Sequence, residues 1–397
     1  MPLPVVFYIQ TTFEVKCMQS TATPTTFSRT NPFHAKVLKN VNLNGAGSNK
    51  ETRHLELSLQ GSGLSFVPGD CLGIVPENDP ELVAAILEEM KWDPELPVPV
   101  SKQGDTLPLK EALAKHFEIT LLTKKLAQQA AAMTDNEQLQ QLVSGDNIKE
   151  YVEGRDLLDL LRDFGPWKAS AQDMVAILRK MPPRLYSIAS SFAAHPDEVH
   201  LTIGAVRYTT HGRERKGVCS VLCAERLHEG DLLPVFIQTN KHFNLPESKD
   251  KDIIMVGPGT GIAPFRSFIE ERAVSKAAGR AWLFFGDQHA ATDFLYQNEL
   301  EGYQKDGVLT KIDAAFSRDS EQKVYVQHKM LENGKELFAW LQNGAYFYVC
   351  GDKQYMAKDV HEALLSVIEQ EGAMTRDAAE AYLKDMQEQG RYQRDVY

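Results

Sequence analysis

Ile253-Ile254-Met255-Val256-Gly257-Pro258-Gly259-Thr260-Gly261-Ile262-Ala263-Pro264-Phe265-Arg266 joins four apolar residues to a turn holding three glycines. From Phe268 and Ile269 onward the pattern is helical. Strand, glycine turn and helix in that order can bring bare backbone N–H groups and the positive end of a helix against a pyrophosphate. The spacing is G-x-G-x-G, not the G-x-G-x-x-G of the dinucleotide fingerprint, so the flanking order carries the inference. The plainer alternative is a tight turn that merely needs glycine.

Downstream, apolar segments at Ala281–Phe285, Lys311–Phe316 and Tyr346–Val349 alternate with helical stretches, and each ends at a glycine or polar loop. This alternation predicts a doubly wound parallel sheet over 249–397, with ligands at the carboxyl ends of its strands. Those ends carry the glycine turn, Gly286-Asp287, Ser317-Arg318 and Cys350-Gly351-Asp352. The window about 20 residues beyond the glycines, where an NAD-binding chain places a carboxylate, holds Lys276 and Arg280 instead. Ser317-Arg318 and Lys323-Val324-Tyr325 add a hydroxyl, a guanidinium fork and a point charge suited to a 2′-phosphate, or else form a solvated charged loop. Cys350 closes an apolar strand, where a single cysteine is more often a small buried residue than a catalyst.

Upstream, Pro32–Leu38 and the alternating His54–Leu59 read as half-buried antiparallel strands, followed by a Pro68-Gly69-Asp70 turn. Helical periodicity then takes over at Glu81–Met90, Leu107–Phe117, Thr134–Val143 and Arg155–Phe164, with Asp156, Leu157, Leu158, Leu160 and Leu161 on one buried face. Strands resume at Arg184–Ser191 and Val199–Val206. Gly217-Val218-Cys219-Ser220 opens a short helix, and Gly230–Ile237 ends the region. The expectation is a small antiparallel β-barrel from 32–80 and 182–248, interrupted by a helical insertion at 81–181 whose role is packing. Residues 1–31, rich in Ser, Thr and Pro between Gln19 and Thr30, read as a disordered or linker lead-in.

Composition bounds the function. A net charge of −11 over 397 residues argues against nucleic acid as a partner. The five cysteines lack metal-ligand spacing, which predicts reduced thiols and no metal site. No run approaches a membrane span, and the apolar residues 3–9 lack the basic flank and cleavage site of a signal peptide. The expected location is cytoplasmic, without a membrane partner.

Arg184-Leu185-Tyr186-Ser187, Gly217–Ser220, Gly257–Arg266, Ser317-Arg318-Asp319, Lys323–Gln327, Tyr348–Asp352 and the terminal Arg391-Tyr392-Gln393-Arg394-Asp395-Val396-Tyr397 follow one another in this order. In that combination the chain resembles the reductase module of the diflavin enzymes related to ferredoxin–NADP reductase, on the sulfite-reductase branch of that family. The resemblance covers about residues 32–397, and the C-terminal motif is its most specific part.

The resemblance implies an FAD-binding barrel and an NADP-binding terminal domain. Arg184 would grip the FAD pyrophosphate, with Leu185 beside it. Tyr186 would lie on one flavin face, and Ser187 would reach the N5 edge. Thr202, Ile203, Gly204 and Tyr208 would line the FAD site. Gly217, Val218, Cys219 and Ser220 would hold its phosphates, and Thr120 of the insertion would reach the adenine end. Gly257, Gly259, Thr260 and Gly261 would cradle the NADPH pyrophosphate. Ser317, Arg318, Lys323, Val324 and Tyr325 would read the 2′-phosphate, with Val326, Gln327 and Asp359 contributing to the same cofactor. Tyr397 would cover the second flavin face, and Ser187, Cys350 and Asp395 would surround the hydride path. That chemistry requires two rings stacked in a dry site, with the protein supplying position and electrostatics. A movable Tyr397 would shield the flavin until NADPH arrives.

Family members begin with an FMN-binding flavodoxin domain, whereas no Ser/Thr/Gly phosphate loop precedes the barrel here. The expectation is therefore no FMN site in this chain. Electrons would pass to a flavodoxin-like carrier or to a sulfite reductase hemoprotein subunit. Two alternatives stand beside this one: a ferredoxin or flavodoxin NADP reductase, and a non-catalytic FAD-binding docking subunit.

Overall fold

The structure is a computed structural model that describes residues 27–101 and 103–397. Residues 1–26 of the lead-in expected over 1–31 lie outside the described residues. Within the remainder, Phe27 rests edge-on against Phe33, and Ser28 pairs with Asn31.

The chain opens with β1 (Phe33–Asn42), β2 (Thr52–Ser58) and β3 (Cys71–Ile74). The helical block follows: α1 (Pro80–Met90), a hairpin of β4 (Pro97–Pro99) and β5 (Thr106–Pro108), α2 (Leu109–Lys115), α3 (Lys124–Ala131), α4 (Glu137–Ser144), α5 (Ile148–Val152), α6 (Leu157–Asp163) and α7 (Ala171–Ile177). Then come β6 (Arg184–Ser187), β7 (Glu198–Gly204), the hairpin β8 (Arg207–Thr210) and β9 (Arg213–Lys216), α8 (Val218–Val221) and β10 (Leu232–Gln238). The helix predicted from Leu107 starts two residues later, because Thr106–Pro108 pairs as a strand and Pro108 is the N-cap. The helix predicted after Gly217 is a single α turn that widens into a π turn over Leu222–Arg226.

Six strands form an antiparallel sheet in the order β6-β3-β10-β1-β2-β7. It closes on itself where Ile188, just past β6, bridges to Leu201 of β7. Period-two alternation sorts the faces. Leu55, Leu57, Val199, Leu201 and Ile203 point into the barrel core. His54, Glu56, His200 and Thr202 lie on the opposite face, which meets the second domain. The helical block has a core of its own, built on Leu113, Leu126, Leu157, Leu160, Leu161 and Met174. Its α6 starts in a capping box between Asp156 and Asp159.

The second domain runs β11 (Ile253–Val256), a 3₁₀ turn (Gly259–Ile262), α9 (Ala263–Ser275), β12 (Ala281–Asp287), α10 (Ala290–Asp293), α11 (Gln297–Lys305), β13 (Lys311–Phe316), α12 (Val326–Glu332), α13 (Gly334–Gln342), β14 (Tyr346–Gly351), α14 (Met356–Glu371), α15 (Arg376–Glu388) and β15 (Tyr392–Val396). The sheet is parallel, in the order β13-β12-β11-β14-β15. Ile253 and Met255 of β11 pack into one layer of helices, and Ile254 and Val256 into the other. This two-sided burial explains the unbroken apolar run. The strand order reverses between β11 and β14, so the glycine turn and Cys350-Gly351 flank the switch point where such sheets bind ligands.

Buried polar contacts fix the two domains against each other. The Tyr296 hydroxyl meets His54 Nδ1 at 2.9 Å and Thr202 Oγ1 at 2.7 Å. Arg266 of α9 donates to Ala189 O at 2.6 Å and to His200 Nδ1 at 3.3 Å, and pairs with Glu270 at 2.8 Å. Burial, reinforced by Arg266, pushes the imidazole of His200 far below its ordinary range and keeps it a neutral acceptor.

Candidate active site at the domain junction

The junction holds a cleft of about 1230 Å³, larger than a pocket for one ordinary small ligand and shaped by both domains. Its barrel wall includes Arg184, Leu185, Tyr186, Ser187, Thr202, Gly204, Gly217, Val218, Cys219 and Ser220. Its second wall includes Gly259, Thr260, Ser317, Tyr325, Val326, Gln327, Asp359, Asp395 and Tyr397.

At the centre, Ser187 donates to Asp395 Oδ2 at 2.6 Å, linking β6 to β15 across the domain boundary. Cys350, aligned with Asp395 in the β14–β15 register, places its thiol 4.0 Å from the same oxygen. Burial raises the Asp395 carboxyl above the ordinary Asp range, and the Ser187 hydroxyl pulls it part of the way back. Burial also pushes the Cys350 thiol well up and Cys71, which lines the cleft beside Ser187, up to about 12. Both cysteines are therefore neutral thiols near pH 7 and not nucleophiles. Tyr397 is 64% exposed at the mouth. Its hydroxyl lies 3.1 Å from Thr260 Oγ1, and its backbone N–H donates to Gly351 O.

On the barrel side, Arg184 donates to Pro182 O at 2.7 Å and pairs with Glu118 at 3.1 Å. Tyr186 and Cys219 both line the cleft, Cys219 and Cys223 are buried, and burial pushes the Tyr186 phenol well above its ordinary range. Gly217 allows a close approach, since a Cβ there would stand 2.5 Å from Ser220 Oγ. Thr120 does not line the cleft. Its hydroxyl donates to Glu118 at 2.5 Å, so it reaches the cleft only through Glu118 and Arg184. Ile203 is in the barrel core, and Tyr208 is exposed on the β8–β9 hairpin.

The glycine turn divides its work differently from the sequence reading, which set all three glycines against a phosphate. Gly257 N–H donates to Phe284 O and Gly261 N–H to Pro258 O, both at 3.0 Å. Any Cβ on Gly257 would strike the Phe265 ring, and one on Gly261 would lie 2.2 Å from Cys350 O. These two glycines let the backbone pack, while Gly259, at φ +56°, and Thr260 present the turn to the cleft. Nearby, Gln327 donates to Asp359 at 3.2 Å, joining two of the expected residues. Val324 and Val326 pack into the domain core. Arg318 and Lys323 are exposed, with no ion-pair partner among the described residues.

Sequence reasoning missed Lys50, whose ammonium pairs with Asp287 at 2.6 Å beside the glycine turn. It comes from a polar loop between β1 and β2 that carries no periodicity. Only the packing of that loop on the second domain, through Asn44 and Ser48 on Asp293, brings it to the cleft. Glu118 was missed for the same reason: the helical insertion packs, but it also supplies the carboxylate that orients Arg184.

Comparison with known proteins agrees with this geometry. Residues 25–222 match an FAD binding domain, and residues 255–362 match an oxidoreductase NAD-binding domain. Over 374 residues the chain is 66% identical to the sulfite reductase (NADPH) flavoprotein alpha-component of Bacillus subtilis. The proteins of that name from Aliivibrio fischeri and Escherichia coli K12 are 44% and 46% identical over 372 and 373 residues. The chain is a homologue of these flavoprotein alpha-components. Each match covers 94% of the chain, which spans 61–62% of the length of the curated relatives. The family resemblance, the FAD and NAD-binding domains and the antiparallel-then-parallel architecture thus hold together. No helix among the described residues is long and apolar enough to cross a membrane.

Proposed function

We propose that this protein is an NADPH-dependent FAD flavoprotein of the sulfite reductase type. Its electrons would pass to a separate carrier or to a hemoprotein subunit. The observation that carries this reading is the Ser187–Asp395 bond, which joins the flavin-side strand to the nicotinamide-side strand inside a cleft large enough for two cofactors.

The residues present fit both groups. Arg184, fixed by Glu118, and the start of α8 offer a cation and N–H groups to the FAD diphosphate. Gly259 and Thr260 line the cleft where a second diphosphate would lie, Ser317 lines it too, and the exposed Arg318 and Lys323, outside that lining, suit a 2′-phosphate. When bound, FAD and NADPH supply the hydride chemistry. Asp395 holds negative charge where positive charge would develop on the nicotinamide, and Ser187 holds the Asp395 carboxylate in place. Tyr397 covers the open side of the flavin position and excludes water until it swings aside. Its ring is held by one hydroxyl contact, to Thr260, and its backbone by Gly351 O and the Lys353 N–H, so the ring can swing without breaking the backbone bonds.

Steady-state assays of the FAD-loaded protein with a one-electron acceptor test this reading. Tyr397→Ala is expected to lower the NADPH-to-NADH preference in kcat/KM by about tenfold, equivalent to about 1.4 kcal/mol, by removing the barrier that 2′-phosphate binding must offset. An unchanged preference would count against the shielding role.

A further inference from the structure

A carboxylate stands inside the site that the proposed function assigns to an anionic diphosphate. Asp287 ends β12, and its side chain is only 1% exposed. Oδ1 accepts from Lys50 Nζ at 2.6 Å and from the Gln288 N–H at 2.7 Å, whereas Oδ2 is buried without a hydrogen-bond partner. Both groups border the cleft-facing glycine: a Cβ on Gly259 would lie 3.6 Å from Lys50 Nζ and 3.8 Å from Asp287 Oδ2.

We propose that Asp287 couples dinucleotide binding to proton uptake: an incoming diphosphate draws Lys50 away, and the carboxylate left behind takes one proton from solvent. This rests on the reading of the Gly259 turn as the NADPH diphosphate site. Lys50 exchanges one anionic partner for another, so the proton counted is the one gained by Asp287. Two features favour that exchange over simple repulsion. The orphaned Oδ2 has no donor to lose, and once protonated its O–H is a donor for which the incoming diphosphate supplies the acceptor. The charged groups that face Asp287 are Lys50, from the β1–β2 loop, and Asp293, from α10. Once Lys50 moves, the remaining neighbour is itself an anion, fixed by Ser48, Asn44 and the His289 N–H. Burial already raises the Asp287 carboxyl above the ordinary range, with Lys50 opposing it, so loss of Lys50 moves it further in the same direction.

Calorimetric titration of the FAD-loaded protein with NADP⁺, in two buffers of different ionisation enthalpy, counts the protons. The wild type is expected to take up more protons than Asp287→Asn, by up to about one per dinucleotide. Its affinity should then weaken by up to about tenfold per pH unit relative to the variant as pH rises. Protons on the 2′-phosphate of the ligand cancel in this difference. Lys50→Met supplies a second check, because Asp287 would then be protonated before binding and the excess uptake would vanish. Equal proton counts in wild type and Asp287→Asn, or full uptake in Lys50→Met, overturn the coupling. Absence of any NADP⁺ binding by the wild type removes the dinucleotide site itself and the coupling with it.

Discussion

Asp395→Ala is expected to slow reduction of the bound flavin by NADPH about 10²-fold while leaving NADP⁺ affinity near its original value. The carboxylate makes no predicted contact with the phosphates. Its work lies in the charge that develops during hydride departure, so its loss falls on the chemical step and not on binding. Asp395→Asn separates charge from shape, because its amide oxygen can still accept from Ser187. If charge matters, Asn behaves like Ala; if only the hydrogen bond matters, Asn restores most of the rate. The pH profile gives an independent sign. A carboxyl raised by burial loses its charge at higher pH than an ordinary Asp, so the rate falls on the acid side earlier than expected for a free carboxylate. Ser187→Ala removes the contact that pulls the carboxyl back down and should move that limb to still higher pH. Rapid-reaction traces showing Asp395→Ala reduced as fast as wild type would remove Asp395 from the hydride path.

Arg215→Ala is expected to lower the opening free energy of the helical block by about 3–5 kcal/mol. Arg215 is 7% exposed and reaches Asp156 at 2.6 Å and Asp159 at 2.7 Å, and Arg213 pairs with the same two carboxylates at 2.9 and 2.6 Å. Those aspartates also form the capping box of α6, so one pair of side chains both starts the helix and ties it to the β8–β9 hairpin of the barrel. Burial alone would raise the Asp159 carboxyl, but the Asp156 N–H and the two arginines outweigh it and hold it below the ordinary range. Without Arg215, two carboxylates remain buried around a single guanidinium that is itself one-quarter exposed. Hydrogen exchange resolves the effect by region: amides of residues 157–163 should lose protection, while those of β11 and β12 should not. Arg215→Lys, which keeps the charge but not the fork, should fall between. Unchanged protection in α6 would show that the cluster is not what fastens the block.

Much of this architecture was legible because its strands are buried on both faces or alternate cleanly. Ile253–Val256 and Lys311–Phe316 were read at their observed boundaries. The β8–β9 hairpin escaped because Arg207–Thr210 and Arg213–Lys216 hold no apolar face; ion pairs with Glu51, Glu225, Asp156 and Asp159 hold it instead. The strand β15 was visible as a motif but not as a strand, since Tyr392–Val396 joins the edge of the sheet with only Tyr392 fully buried. In the site, residues on strand ends were legible, whereas Lys50 and Glu118 were not, because their positions depend on contacts 237 and 66 residues away in sequence. The glycine turn shows the limit of a motif. The three residues are identical in type, yet only the packing separates Gly259 from Gly257 and Gly261.

The most direct test is anaerobic mixing of the FAD-loaded protein with NADPH and, separately, with NADH, followed through the oxidised-flavin absorbance band. NADPH is expected to bleach the band rapidly and NADH far more slowly, since the cations near Ser317 favour the 2′-phosphate. A flavin-loaded protein whose band neither cofactor bleaches would contradict the account and leave the cleft as a binding site without hydride chemistry.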